Sequence, residues 1–129
     1  MTPTLKNDTS LLTNIAKYQN KIIGVLKDFD CELSASSTKA LYKSEYGFDL
    51  CAMYMAQIGE NVNHLTEETK ADVSKYIDIG TLKYFRNLID HSYEKVKKSL
   101  LQAYIQAVIS PECVKGVRDI LKSVFDRLQ

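Results

Sequence analysis

Apolar residues recur at intervals of three and four along most of this 129-residue chain, and little interrupts them. Five glycines and two prolines are too few to punctuate a chain of many short strands, so helices carry the fold. Leu11, Leu12, Ile15, Tyr18, Ile22, Val25, Leu26 and Phe29 form one stripe, which predicts an amphipathic helix from Asp8, as its cap, to about Phe29. Residues 31–37 read as a polar connection. A second pattern runs from Ser37 to Leu65 through Phe48, Cys51, Met55, Ile58 and Val62, with Gly47 placed where it would bend or break the helix. Thr66 before Glu67 and Glu68 marks a fresh N-terminus, with carboxylates at the positive end of the helix dipole. That short helix fades near Tyr76.

Asp78 is the expected cap of a helix containing Leu82, Phe85, Leu88 and Ile89, continuous with or kinked from a further one marked by Val96, Leu100, Leu101, Tyr104, Ala107 and Val108. Ser110-Pro111-Glu112 is the clearest start signal, and its helix carries Val114, Val117, Leu121, Val124 and Leu128 on one face. The expectation is an all-α, up-and-down bundle of five or six helices in a single domain spanning residues 1–129, since a domain usually takes roughly 100–150 residues.

Seventeen basic and sixteen acidic side chains leave a formal net charge of +1, which excludes a polycationic nucleic-acid coat. The balance is uneven. Residues 1–82 hold eight basic and eleven acidic groups, and residues 83–129 hold nine and five, so an RNA or acidic partner would meet the C-terminal half. The longest apolar run, Leu50 to Ala56, is far short of the roughly 20 residues of a membrane span, and no membrane partner is expected. Three cysteines (Cys31, Cys51 and Cys113) with no C-x-x-C pair, behind a start that lacks a signal-like apolar run, favour reduced thiols and a cytoplasmic location. No cofactor is expected, and no carboxylate–histidine cluster suggests a metal site.

The segment Tyr84 to Tyr93 concentrates the chemistry. At 100° per residue, Leu82, Phe85, Ile89, Ser92 and Val96 share one side, while Lys83, Asn87, Asp90, His91 and Glu94 share the other. Arg86 and Tyr93, seven apart, fall together on the boundary. The plain reading is a solvated helix face: Arg86 and Asp90 four apart as a surface ion pair, His91 near a helix end, and Asn87 in water.

Arg86-Asn87-x-x-x-His91-x-Tyr93 resembles the R-x-x-x-x-H-x-Y signature of HepT-like toxins, members of the HEPN superfamily of all-α ribonucleases. Upstream, Ile58-Gly59-Glu60-Asn61-Val62-Asn63-His64-Leu65-Thr66-Glu67-Glu68 is similar to that family's helix ending in an I-G-E segment before an acidic turn. The resemblance covers about Phe48 to Ala107. The sequence departs from the family at Asp90, where a small or apolar residue is usual, and at Glu94-Lys95-Val96-Lys97 after the tyrosine.

The resemblance implies a homodimeric, metal-independent endoribonuclease toxin, with Arg86, Asn87 and His91 as catalytic residues and Glu60 as a supporting one; Asp90, beside the histidine, is a further candidate supporting residue despite the departure. Such cleavage needs a base, an acid and positive charge on the phosphate, which histidine and arginine supply, and one motif histidine per chain is one short of an acid–base pair that a second protomer would complete. It also implies an RNA substrate and a nucleotidyltransferase antitoxin that attaches AMP to Tyr93. By its spacing alone, Tyr93 should project near Arg86, two turns along one helix. His64 is expected at the surface or in a cap. Two other readings keep the fold without the nuclease: a non-catalytic helical interaction module, and a nucleotide-binding accessory subunit of a nucleotidyltransferase.

Overall fold

The computed structural model describes residues 2–28 and 45–129, and every regular element among them is a helix. They are α1 (Leu5–Asp28), α2 (Glu45–Asn63), α3 (Glu67–Val73), α4 (Ile79–His91), a 3₁₀ turn (Tyr93–Lys95), α5 (Lys98–Val108) and α6 (Pro111–Arg127). The expected connection at residues 31–37, the last residue of the expected first helix, Phe29, the opening of the second pattern from Ser37, and Cys31 lie outside the described residues. No described helix is long and apolar enough to cross a membrane.

Side chains start three of these helices as their sequences anticipate. Thr66, Asp78 and Ser110 each accept the main-chain N–H three residues on, from Thr69, Thr81 and Cys113. Gly47 lies in the first turn of α2 and interrupts nothing. The first helix differs from expectation. It begins at Leu5, where Thr4 Oγ1 accepts from the Asn7 N–H at 3.2 Å, so Asp8 is not its cap.

Asp8 is instead fully buried and serves another helix. Its carboxylate accepts from the Thr66 N–H at 3.0 Å, and from the Thr66 and Thr69 hydroxyls at 2.6 Å each. Local propensity made Asp8 a good cap for its own helix. The tertiary fold uses it on the start of α3, 58 residues away, where the dipole also favours a negative charge.

Contacts run in opposite order along neighbouring helices. Asn14 meets Asn61 and Tyr18 stacks near Tyr54, so α1 and α2 are antiparallel. Gln19 of α1 meets Cys113 near the start of α6. One core joins these elements, through Leu12, Ile15, Ile22 and Leu26 of α1, Phe48, Cys51, Met55, Ile58 and Val62 of α2, Leu82 and Phe85 of α4, Leu101 and Ile105 of α5, and Val117 and Val124 of α6. Leu121 is only partly buried and Leu128, beyond the end of α6, is exposed. The Tyr76 ring lies against Gly116, where a Cβ would come within 2.6 Å of it, so α6 needs glycine there despite its poor helix propensity.

Tyr104 of α5 stacks on Phe85 at 5.5 Å between ring centroids, and its hydroxyl donates to the Asp78 carbonyl at 2.7 Å. This contact fixes both the entry and the inner face of α4.

Asp8→Ala should lower unfolding stability by about 3 kcal/mol in denaturant titrations, because it leaves one buried donor, on Thr69, and two partly buried ones, on Thr66, without their acceptor. A second expectation follows from the thiols. Burial pushes Cys51 from 9.0 up to about 12, and burial, opposed by the Gln19 hydrogen bond, pushes Cys113 up to about 11. The unfolded chain loses these protons near its ordinary thiol pKa while the folded chain keeps them, so stability falls as pH rises above about 9. Tyr104, raised first by burial and then by the Asp78 charge, acts in the same direction. Denaturation midpoints measured from about pH 8 to about pH 11 should decline steadily.

Candidate functional site

Arg86 leaves the middle of α4 and lies across α2. A Cβ added at Gly59 would stand 3.1, 3.2 and 3.3 Å from the Arg86 Cδ, Cβ and Cγ. The missing side chain is what lets the arginine stem come so close. The next residue, Glu60, receives the guanidinium, with Arg86 Nη1 3.1 Å from Glu60 Oε2. The other carboxylate oxygen, Oε1, lies 2.8 Å from His64 Nε2, one turn further along. Three titratable side chains thus form one row, His64–Glu60–Arg86, across the α2–α4 boundary.

Burial is uneven along this row. The Arg86 side chain is 19% exposed, whereas those of Glu60 and His64 are 54% and 60% exposed. The Arg86 Nε–H is buried and has no hydrogen-bond partner among the described residues. The arginine is therefore held from one side and retains an unused donor edge.

Asn87, Asp90 and His91 are exposed on the outer face of α4, as is Lys83 near its start. Leu82 and Phe85 are buried and Ile89 is partly buried, so the two-sided reading of this helix holds up to His91. The local ion pair between Arg86 and Asp90 is not formed; the arginine takes Glu60, 26 residues away. His64 is a surface residue in the turn after α2.

Tyr93 departs from the expected geometry. Helix α4 ends at His91, because Ser92 has φ −154° and ψ 52°, outside the helical region. The following segment is a 3₁₀ turn, and α5 starts separately at Lys98. Seven-residue spacing therefore does not stack Tyr93 over Arg86. The phenol instead donates to the Asp49 carboxylate in α2, tying the turn back to the bundle. Asp49 had no signal in the sequence, since it lies 44 residues from Tyr93 in an unrelated stretch.

No three His, Cys, Asp or Glu side chains among the described residues gather closely enough to hold a metal ion. No protein-family model, curated protein or solved structure matches this chain.

The Glu60–Arg86 contact should be modest, since one partner is half exposed. A double-mutant cycle with Glu60→Ala and Arg86→Ala should give a coupling of about 0.5–1 kcal/mol in thermal or denaturant unfolding, and the coupling should shrink as salt is raised.

Proposed function

We propose that this chain is a metal-independent endoribonuclease of the HepT-like toxin type, working as a homodimer in the cytoplasm. The observation that carries the reading is the meeting of two distant segments. Gly59 and Glu60, from the segment resembling the I-G-E helix end, are the residues that contact Arg86 of the R-x-x-x-x-H-x-Y segment. Two pieces of sequence that resemble one family separately are also in contact.

In this reading the exposed His91 takes the proton of an RNA 2′-hydroxyl, whose oxygen attacks the adjacent phosphorus. The bond from phosphorus to the 5′-oxygen breaks, and the leaving oxygen takes a proton from the imidazolium of the partner protomer's His91. Arg86 neutralises charge on the non-bridging phosphate oxygens, and Asn87, exposed one residue further on, adds a neutral donor. The product is a 2′,3′-cyclic phosphate. Glu60 positions Arg86. Asp90, exposed directly before His91, adds negative charge at the edge of the site.

A nucleotidyltransferase antitoxin completes the reading by adding AMP to Tyr93. The phenol oxygen, passing its proton to Asp49, would attack the α-phosphorus of an ATP held by that partner, pyrophosphate would leave, and the added negative charge would oppose RNA binding.

Purified chain incubated with RNA in EDTA should yield cyclic-phosphate ends. His91→Ala should reduce the rate by roughly 10²–10⁴-fold, the usual contribution of general acid–base catalysis, with helicity preserved because the side chain is exposed. Arg86→Ala should abolish cutting. Intact RNA after incubation with a folded, dimeric wild type would reject the nuclease in favour of a non-catalytic interaction module.

A further inference from the structure

A small cavity lies beside Arg86, among residues from the end of α2, from α3 and from the first half of α4. Its volume is about 160 Å³, and its walls include Gly59, Lys70, Ile79, Leu82, Lys83 and Arg86. Three of its lining residues are cationic, and among the described residues none of the lining ones is a carboxylate. Two of these cations are paired with acids outside the lining: Glu67 lies 3.3 Å from the Lys70 ammonium, and Glu60 holds Arg86 Nη1. Lys83 has no ion pair among the described residues.

Arg86, one of these cations, also carries a buried Nε–H with no acceptor among the described residues. That atom is closed off from the cavity, so an oxyanion there meets the rest of the guanidinium, of which Glu60 holds Nη1. A water occupies roughly 30 Å³ in the liquid, so the space equals about five waters. That accommodates one tetrahedral oxyanion with its hydration. It falls well short of the roughly 300 Å³ at which pockets begin to enclose a whole organic ligand.

We propose that this cavity is a phosphoryl-oxyanion site in which Lys83, Lys70 and Arg86 hold a phosphate group, the rest of any attached nucleotide remaining outside. The site shares Arg86 with the cleavage chemistry proposed above, but it stands whether or not the chain cuts RNA. Apolar walls at Ile79 and Leu82 lower the local dielectric and strengthen each charge-assisted bond. Two sources share this chemistry: inorganic phosphate, and the phosphate of a nucleotide or nucleic-acid strand.

The test is calorimetric titration of the full chain with inorganic phosphate, AMP and adenosine, at constant ionic strength. Phosphate and AMP should bind and adenosine should not. Equal affinities would assign the site to the phosphate group alone, and tighter AMP binding would assign it to a nucleotide whose outer part adds contacts. Lys83→Gln, at an exposed position, should weaken binding at least ~tenfold, the loss expected for one charge-assisted contact. Lys83→Arg should restore most of it, and Lys122→Gln on α6 should change nothing. No binding of either phosphate compound, adenosine binding as well as AMP, or indifference to Lys83→Gln would each overturn the proposal. None of these readouts requires catalytic activity, so an inactive chain reports on the cavity as well as an active one.

Discussion

Helix α2 packs against both α1 and α4, and α6 packs in turn against α1. Phe48, Cys51, Met55, Ile58 and Val62 are each at most 1% exposed. Burying a large apolar side chain contributes roughly 1.5–3 kcal/mol, so a few of these outweigh the Glu60–Arg86 ion pair, whose class contributes about 1 kcal/mol or less. Apolar burial therefore sets where α4 lies, and the ion pair sets how one side chain lies upon it. Loss of Glu60 would free Arg86 without separating the helices.

The helices were legible because the period of the apolar residues and the chemistry of the caps agree. Thr66, Asp78 and Ser110 are short polar residues that satisfy main-chain donors three positions ahead, an interaction wholly contained in the local sequence. Asp8 has the same chemistry, yet its partners belong to a different helix. Its role was hidden because a buried carboxylate takes the donors that the fold presents, and Thr66 and Thr69 become its neighbours only when α1 and α2 pair.

The candidate site divides in the same way. The outward placement of Asn87, Asp90 and His91 followed from helical geometry, and Glu60 was expected to support the site through a resemblance between segments. The position of Tyr93 was misjudged because a seven-residue spacing aligns side chains only on an unbroken helix. Ser92 interrupts it, and the phenol finds Asp49 instead. The cavity beside Arg86 was invisible beforehand, since Lys70 and Lys83 come from helices that meet only in the folded chain.

Glu60 touches two partners through two different oxygens, His64 with one and Arg86 with the other. A carboxylate with a single counter-ion would be stranded when that counter-ion turned toward an arriving polyanion, and this would resist the exchange. Here the carboxylate keeps a hydrogen bond to His64 in the turn after its own helix and faces water as well. The arginine is therefore on loan rather than locked: a competing anion has to displace one contact of a shared carboxylate, and the helix beneath it has nothing to rearrange.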